Sequence, residues 1–411
     1  DTLGWFPEAI DAYTAAINAL RAKMVGMQVG MPKAGEAPGL AMSLILAELL
    51  TYQAILYPRC GQLAQAQQNC TEALVHLQTL STTPQQQFGM ALAQMIHGWV
   101  LHDLAEDEAA VTALAAARAI LDGPQHRWWL GQAELLLGLA VHSLGRHDEA
   151  KAHFMAAAQI WQALGEQRFR CFALGRLAEL AREAGDLTAA QSYLTDVYQL
   201  RHLLGDRVGL SYALAFLGDT ALAQGDQSGA ACWYTEAQQL AQELGNHHVL
   251  LDTHQGLGEV ALAQGAWAEA DRAFHAAYRL ALEAQRPQQM VMALLGRSDV
   301  AVAQGQVRQA HTFLREALQL TTETRSDPLQ LQVLFHVAEV AQHHDEPTEA
   351  ARLLMLICQH PAAASLLQEQ ATQLLERMAE SGVALPAPAA AATPKHLNAV
   401  VSSLLAQGFL D

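Results

Sequence analysis

Residues Val208–Gly245 read VGLSYALAFLGDTALAQGDQSGAACWYTEAQQLAQELG, and residues 249–285 read VLLDTHQGLGEVALAQGAWAEADRAFHAAYRLALEAQ. Aligned on the glycine of the shared AQG, the two are near-copies, and further copies lie on both sides. The turn position recurs every forty residues at Gly145, Gly185, Gly225, Gly265 and Gly305, with Asp345 at the next step. A repeat period within about 20–50 residues marks a solenoid, because each unit cannot bury its apolar face alone and must stack on its neighbours.

The register inside the unit describes two helices. Five residues after each turn stands alanine, from Ala150 and Ala190 through to Ala310 and Ala350. Nine residues after come Phe154, Leu194, Tyr234, Phe274, Leu314 and Leu354. Seven residues before it stands a small residue: Gly138, Ala178, Gly218, Gly258, Ser298 and Ala338. Apolar residues at three- and four-residue spacing give each helix one buried stripe. The turn glycine closes the first helix in a left-handed cap. Small residues belong where two helix backbones come closest.

This pattern resembles the tetratricopeptide repeat (TPR), although the period is longer than the usual length of about thirty-four residues. The proline that commonly ends the second TPR helix is replaced by Leu164-Gly165, Leu204-Gly205 and Leu244-Gly245. The longer form is similar to the TPR arrays of bacterial STAND-type signalling ATPases, such as maltotriose-responsive transcription activators and antibiotic-regulatory activators. The resemblance implies an all-α TPR-like α-solenoid, a right-handed superhelix of about eight helix pairs with an N-terminal half-pair and C-terminal capping helices. It also implies a bacterial, cytoplasmic sensor linked to transcription regulation, with any ATPase in an upstream domain.

Composition agrees with packed helices: of 411 residues, 51% are hydrophobic and only 16% charged. Five cysteines, Cys60, Cys70, Cys171, Cys232 and Cys358, are scattered without a CxxC and read as reduced, buried thiols. No apolar run approaches the roughly 18 residues that a membrane span needs. A net charge of −17 argues against nucleic acid as a direct partner.

Along the chain, residues 1–22 should form the second helix of a repeat, since Gly4 falls on the turn position; the first helix would then lie upstream. Its one-sided apolar residues, Ile10, Tyr13, Ile17 and Leu20, predict packing on Leu40–Tyr57 and self-association or contact with an upstream effector through this end. The Gly/Pro-rich stretch 23–39 reads as a loop. The superhelix with its capping helix should occupy 40–382, with its least regular joint at Ala105-Glu106-Asp107. An Ala/Pro tether at 383–394 precedes a short helix at 395–411, which is too short to stand alone and should dock.

The usual catalytic motifs are absent, so no catalytic residue, enzyme activity or cofactor is expected of this chain. Adjacent helical residues point about 100° apart, so His247-His248 and His343-His344-Asp345 make poor ligand sets, and no metal site is expected. Arg168, Arg170 and Arg176 form a candidate anion site, with pairing to acids as the simpler alternative.

TPR geometry points instead to the first helices, whose position six before the turn faces the concave groove. That position reads Ile55, Trp99, Leu139, then Glu179, Asp219, Glu259, Asp299 and Glu339. Neighbouring groove positions add Phe172, Arg176, Tyr212, Phe216, Asp252, Gln255, Phe335 and His336, and Gly256 and Gly296 should leave room there. The candidate binding set is therefore Trp99, Leu139, Phe172, Arg176, Glu179, Tyr212, Phe216, Asp219, Asp252, Gln255 and Glu259. Aromatic groups with a few polar ones suit an inducer, whether small molecule, peptide or protein. Another reading makes the carboxylates inter-repeat structure and Trp99 and Phe172 core. Carboxylate-clamp TPRs grip acidic tails with Lys and Asn, and acids in those places argue against that function. Two functions follow: a sensor that relays an inducer to an effector, or a passive interaction scaffold.

Overall fold

The computed structural model describes residues 5–29, 37–57, 62–78, 83–324, 326–343, 346–381, 383 and 394–406. Among these, helices are the only extended regular elements. A first helix, α1 (Trp5–Val29), is followed by eight pairs. These are α2 (Ala37–Leu56) with α3 (Leu63–Gln78), α4 (Pro84–Asp103) with α5 (Asp107–Leu121), α6 (Arg127–Ser143) with α7 (His147–Ala163), and α8 (Gln167–Glu183) with α9 (Leu187–Leu203). Then come α10 (Arg207–Ala223) with α11 (Gln227–Leu244), α12 (His247–Ala263) with α13 (Trp267–Glu283), α14 (Pro287–Ala303) with α15 (Val307–Thr324), and α16 (Asp327–His343) with α17 (Pro347–Gln359). Helices α18 (Ser365–Glu380) and α19 (Pro394–Ala406) follow. The chain divides into two compact units, residues 1–204 and 205–411. No helix among the described residues is long and apolar enough to cross a membrane.

The joints explain the sequence signature. At Gly145 (φ +74°) the backbone N–H donates to His142 O, and the N–H of Arg146 reaches back to Val141 O, so two orphan carbonyls of α6 are satisfied. Leu204-Gly205-Asp206 and Leu244-Gly245-Asn246 add a second device: the Asp206 and Asn246 side chains accept from the N–H groups of Gly209 and Val249 and cap the next helix. One short motif thus stops a helix and starts another.

Ala105 departs from the expectation of irregularity. Its joint closes with the same two bonds, Ala105 N to His102 O and Glu106 N to Leu101 O, with the alanine itself at φ +61°. Geometry is kept and strain is accepted, since a left-handed non-glycine residue costs about 1–2 kcal/mol. Ala105→Gly is therefore expected to stabilise the protein by about 1 kcal/mol, read as a raised melting temperature.

Two other expectations are revised. Helix α1 runs on to Val29 through Gly26, and α2 begins at Ala37, so the stretch 23–39 is helical at both ends. Pro38 lies in the first turn of α2, where its missing N–H costs nothing. Gly256 and Gly296 do not open a groove; both are buried at helix contacts. Tyr234 on α11 is pressed between Gly218 of its own pair and Gly256 of the next, and Phe274 on α13 between Gly258 and Gly296. A Cβ added at Gly218 would sit 2.6 Å from Tyr234 Cε1, and one at Gly258 2.7 Å from Phe274 Cε1. Large side chains on second helices thus occupy room left by glycines on two successive first helices.

At the N-terminus, Ile17 is buried with Leu46, Leu50, Ala73 and Leu77, and Arg21 forms a bidentate pair with Glu72 on α3. At the other end, α19 packs on α15 and α16 and buries Leu397, Val400, Val401 and Leu404. The tether lies outside the described residues apart from Val383 and Pro394. Cys70 and Cys171 are buried, and burial pushes the Cys70 thiol up to about 12. Cys232 is exposed, against the expectation of burial; Cys60 lies outside the described residues.

Candidate functional site

First helices touch one another directly: α2 with α4 and α4 with α6 in the first unit, α10 with α12, α12 with α14 and α14 with α16 in the second. Residues six before each turn therefore line up on adjacent helices. In the second unit these are Asp219, Glu259, Asp299 and Glu339, joined by Asp252 about two turns before Glu259.

Their partners are unequal. Asp219 accepts from the Tyr234 hydroxyl at 2.7 Å, within its own pair. Glu259 accepts from Gln255 at 3.0 Å on the same helix. Asp299 bonds across to His336 Nδ1 on α16 at 3.0 Å, and Glu339 lies 3.7 Å from that same nitrogen. The reading in which the ladder joins successive repeats thus holds for Asp299 with His336. Burial pushes His336 down, but the bond to Asp299 and the charges of Asp299 and Glu339 outweigh it, leaving the imidazole above its usual range.

The carboxylates also act on each other. Burial raises Glu259, and the charges of Asp219 and Asp299 add to it against the Gln255 bond. Burial raises Glu339 likewise, with Asp299 adding and His336 and Arg377 opposing. Loss of water around Asp252 and the Asp219 charge lift its carboxyl to about 6, against the pull of Arg286. The folded state holds this proton more tightly than the unfolded chain. Asp252 therefore favours the fold most below about pH 4, and its contribution falls as the pH rises towards 6. Asp252→Asn should raise the melting temperature at pH 8 and leave that at pH 4 unchanged.

Tyr212 is half-buried on α10, and one turn on Phe216 is 51% exposed, so an aromatic surface adjoins Asp219 on its own helix. Of the predicted set, Tyr212, Phe216, Asp219, Asp252, Gln255 and Glu259 lie in the second unit, on α10 and α12.

The remaining predicted residues belong to the first unit. Trp99 and Leu139 are partly buried against the cluster of Leu92, Leu114 and Leu137, so both serve packing. Phe172 is 49% exposed, with the Arg201 guanidinium 4.9 Å from its ring centroid. It continues an aromatic row in which Phe169 contacts Trp128 and Trp161. Trp128 and Trp129 meet edge-on at 4.8 Å, and both are partly buried. Arg176 pairs with Glu179 at 2.6 Å, and Arg170 bonds Gln167; the acid-paired reading fits Arg176 better than an anion site.

One charged group was missed in the sequence. Glu134 on α6 is buried and receives Arg118 Nε of α5 at 2.5 Å and His153 of α7 at 2.6 Å. Burial alone would raise its carboxyl, but the bonds and charges of His153 and Arg118 hold it below the usual range. A lone acid in the run Ala133–Leu137 was the available signal. His248 accepts from Arg286 at 2.7 Å, and burial with the Arg286 and His247 charges lowers it, so it is engaged in a cationic setting. His343-His344-Asp345 falls outside the described side chains.

The module can now be named. A tetratricopeptide-repeat family model matches residues 129–201, the pairs α6/α7 and α8/α9. Comparison with curated protein sequences finds no match. Among solved structures, the apo form of the quorum sensor NprR from B. thuringiensis aligns over 92% of this chain and 100% of its own, at 14% identity and TM-score 0.61. A STAND protein with a tetratricopeptide-repeat sensor from Pyrococcus horikoshii aligns over 91% of this chain at 14% identity and TM-score 0.57. The match spans 55% of that longer protein. A Rap protein complexed with competence and sporulation factor aligns over 92% of this chain and 99% of its own, at 12% identity and TM-score 0.57. At these identities the likeness is one of fold. The chain thus folds as a tetratricopeptide-repeat-like helical solenoid, a fold shared with a STAND sensor and a quorum sensor.

Proposed function

We propose that this chain is the inducer-sensing module of a STAND-type signalling protein and receives its ligand on the first-helix face of the second unit. The observation that carries the reading is the column of acids on α10, α12, α14 and α16, in which burial and then the charges of Asp219 and Asp299 raise the proton affinity of Asp252, Glu259 and Glu339. A cation placed there relieves that repulsion, and Tyr212 and Phe216 offer apolar area beside it. The ligand is accordingly cationic or rich in hydroxyls, and acidic peptides are repelled. Structural likeness to a quorum sensor, a factor-bound Rap protein and a STAND sensor supports a sensing role, relayed to an effector upstream in the same chain. Ligand binding would select among repeat packings, each joint contributing a small rotation.

Polyamines, basic peptides and oligosaccharides titrated into wild type and the Asp219→Ala/Glu259→Ala variant test this. Binding lost at unchanged melting temperature supports the site; affinity for a bound compound left unchanged ends it. A variant that melts lower would assign these acids to the fold and favour the second reading, a scaffold without switching.

A further inference from the structure

The joint at Gly145 gathers a donor set that no repeat pattern requires. His142 occupies the last turn of α6 and His147 the first residue of α7, and the left-handed Gly145 folds the one back towards the other. Glu183, in the last turn of α8, reaches in from the next pair. Its Oε2 lies 2.7 Å from His142 Nε2 and 4.0 Å from His147 Nδ1, and the three donor atoms are all within 4.8 Å of one another. The two imidazoles stand 5.5 Å apart at 62°, so both ring edges can address one point.

We propose that His142, His147 and Glu183 form a site for a divalent metal ion of the zinc class, which ties α6, α7 and α8 together. Zinc bonds of about 2.0–2.1 Å place tetrahedral donors roughly 3.4 Å apart. The present separations straddle that figure, and the 59% exposed His147 side chain is free to swing inward. Binding replaces the His142–Glu183 hydrogen bond: the imidazole proton leaves Nε2 for Nδ1 or solvent, and the freed lone pair takes the metal. Two imidazoles and one carboxylate favour zinc, cobalt, nickel or copper over magnesium or calcium. With three protein donors, the fourth position faces solvent and remains for water or an exogenous ligand.

The nearby cation is neutralised: Arg146, between the two histidines, turns its guanidinium to Glu149 at 2.5 Å. The preceding joint lacks the set: His102 is bonded to Asp107 at 2.6 Å, and Ser143 stands where Glu183 stands one repeat later. The sequence gives no hint of the trio, because its members are separated along the chain and meet only when two pairs stack.

The test uses the full chain with zinc chloride by calorimetry and cobalt chloride by visible absorption. Expected are one equivalent bound, tetrahedral cobalt bands, and a zinc-dependent rise in melting temperature. His147→Ala and Glu183→Gln should each weaken zinc at least about tenfold, a loss already typical of outer-shell changes. His147→Ala should do so without changing the metal-free melting temperature. No stoichiometric binding, or an isotherm unchanged in both variants because other histidines carry the metal, overturns the proposal.

Discussion

Phe274→Ala is expected to destabilise the second unit by about 3–5 kcal/mol, the usual loss for a fully buried phenylalanine. The ring has no solvent exposure and is held between Gly258 on α12 and Gly296 on α14. Neither glycine carries a side chain that could fall into the space, so the cavity stays open. The converse change tests the same contact from the other side. Gly296→Ala forces a methyl group into the Phe274 ring and should cost about 1–3 kcal/mol. In Phe274→Leu/Gly296→Ala the smaller side chain makes room, so the double variant should lose less than the sum of the singles. Urea melts of wild type, Phe274→Leu, Gly296→Ala and the double variant read this directly. A neutral Gly296→Ala would show that the glycine faces open space, as the repeat pattern alone suggested.

Glu134→Gln should cost about 1–3 kcal/mol at pH 7, because a buried acceptor of two charge-assisted bonds becomes a neutral amide. His153 and Arg118 keep some access to water, which limits the loss. The pH dependence separates this from a packing defect. Glu134 has a folded pKa below its unfolded value of about 4.3. Its stabilisation is therefore complete above that value and drains away as pH falls through the folded one. Wild type and variant should differ at pH 7 and converge in acid; a constant gap down to pH 3 would point to shape alone. Asp252, with its shift in the opposite direction, should behave as the mirror case.

How much of the site was legible follows from what periodicity can carry. The forty-residue register placed Asp219, Glu259, Asp299 and Glu339 on corresponding positions, and the structure sets their helices side by side. It also named Phe172 as a platform candidate, and the ring is exposed beside Arg201. The same register misassigned Gly256 and Gly296, since a position nine before the turn can face solvent or the preceding pair's aromatic ring. That choice depends on the rotation between neighbouring pairs, which no single repeat encodes.

By itself the sequence determined the module: two helices per unit, and the joints where glycine takes the left-handed cap. These are local matters, decided within a few residues by backbone sterics and hydrogen-bond supply. Only the tertiary structure decided which acids find partners, that Glu134 lies beneath Arg118 and His153, and that His142, His147 and Glu183 converge. Those pairings join helices from different parts of the chain. Their geometry comes from how two faces pack, to within an ångström, rather than from the residues on either face alone.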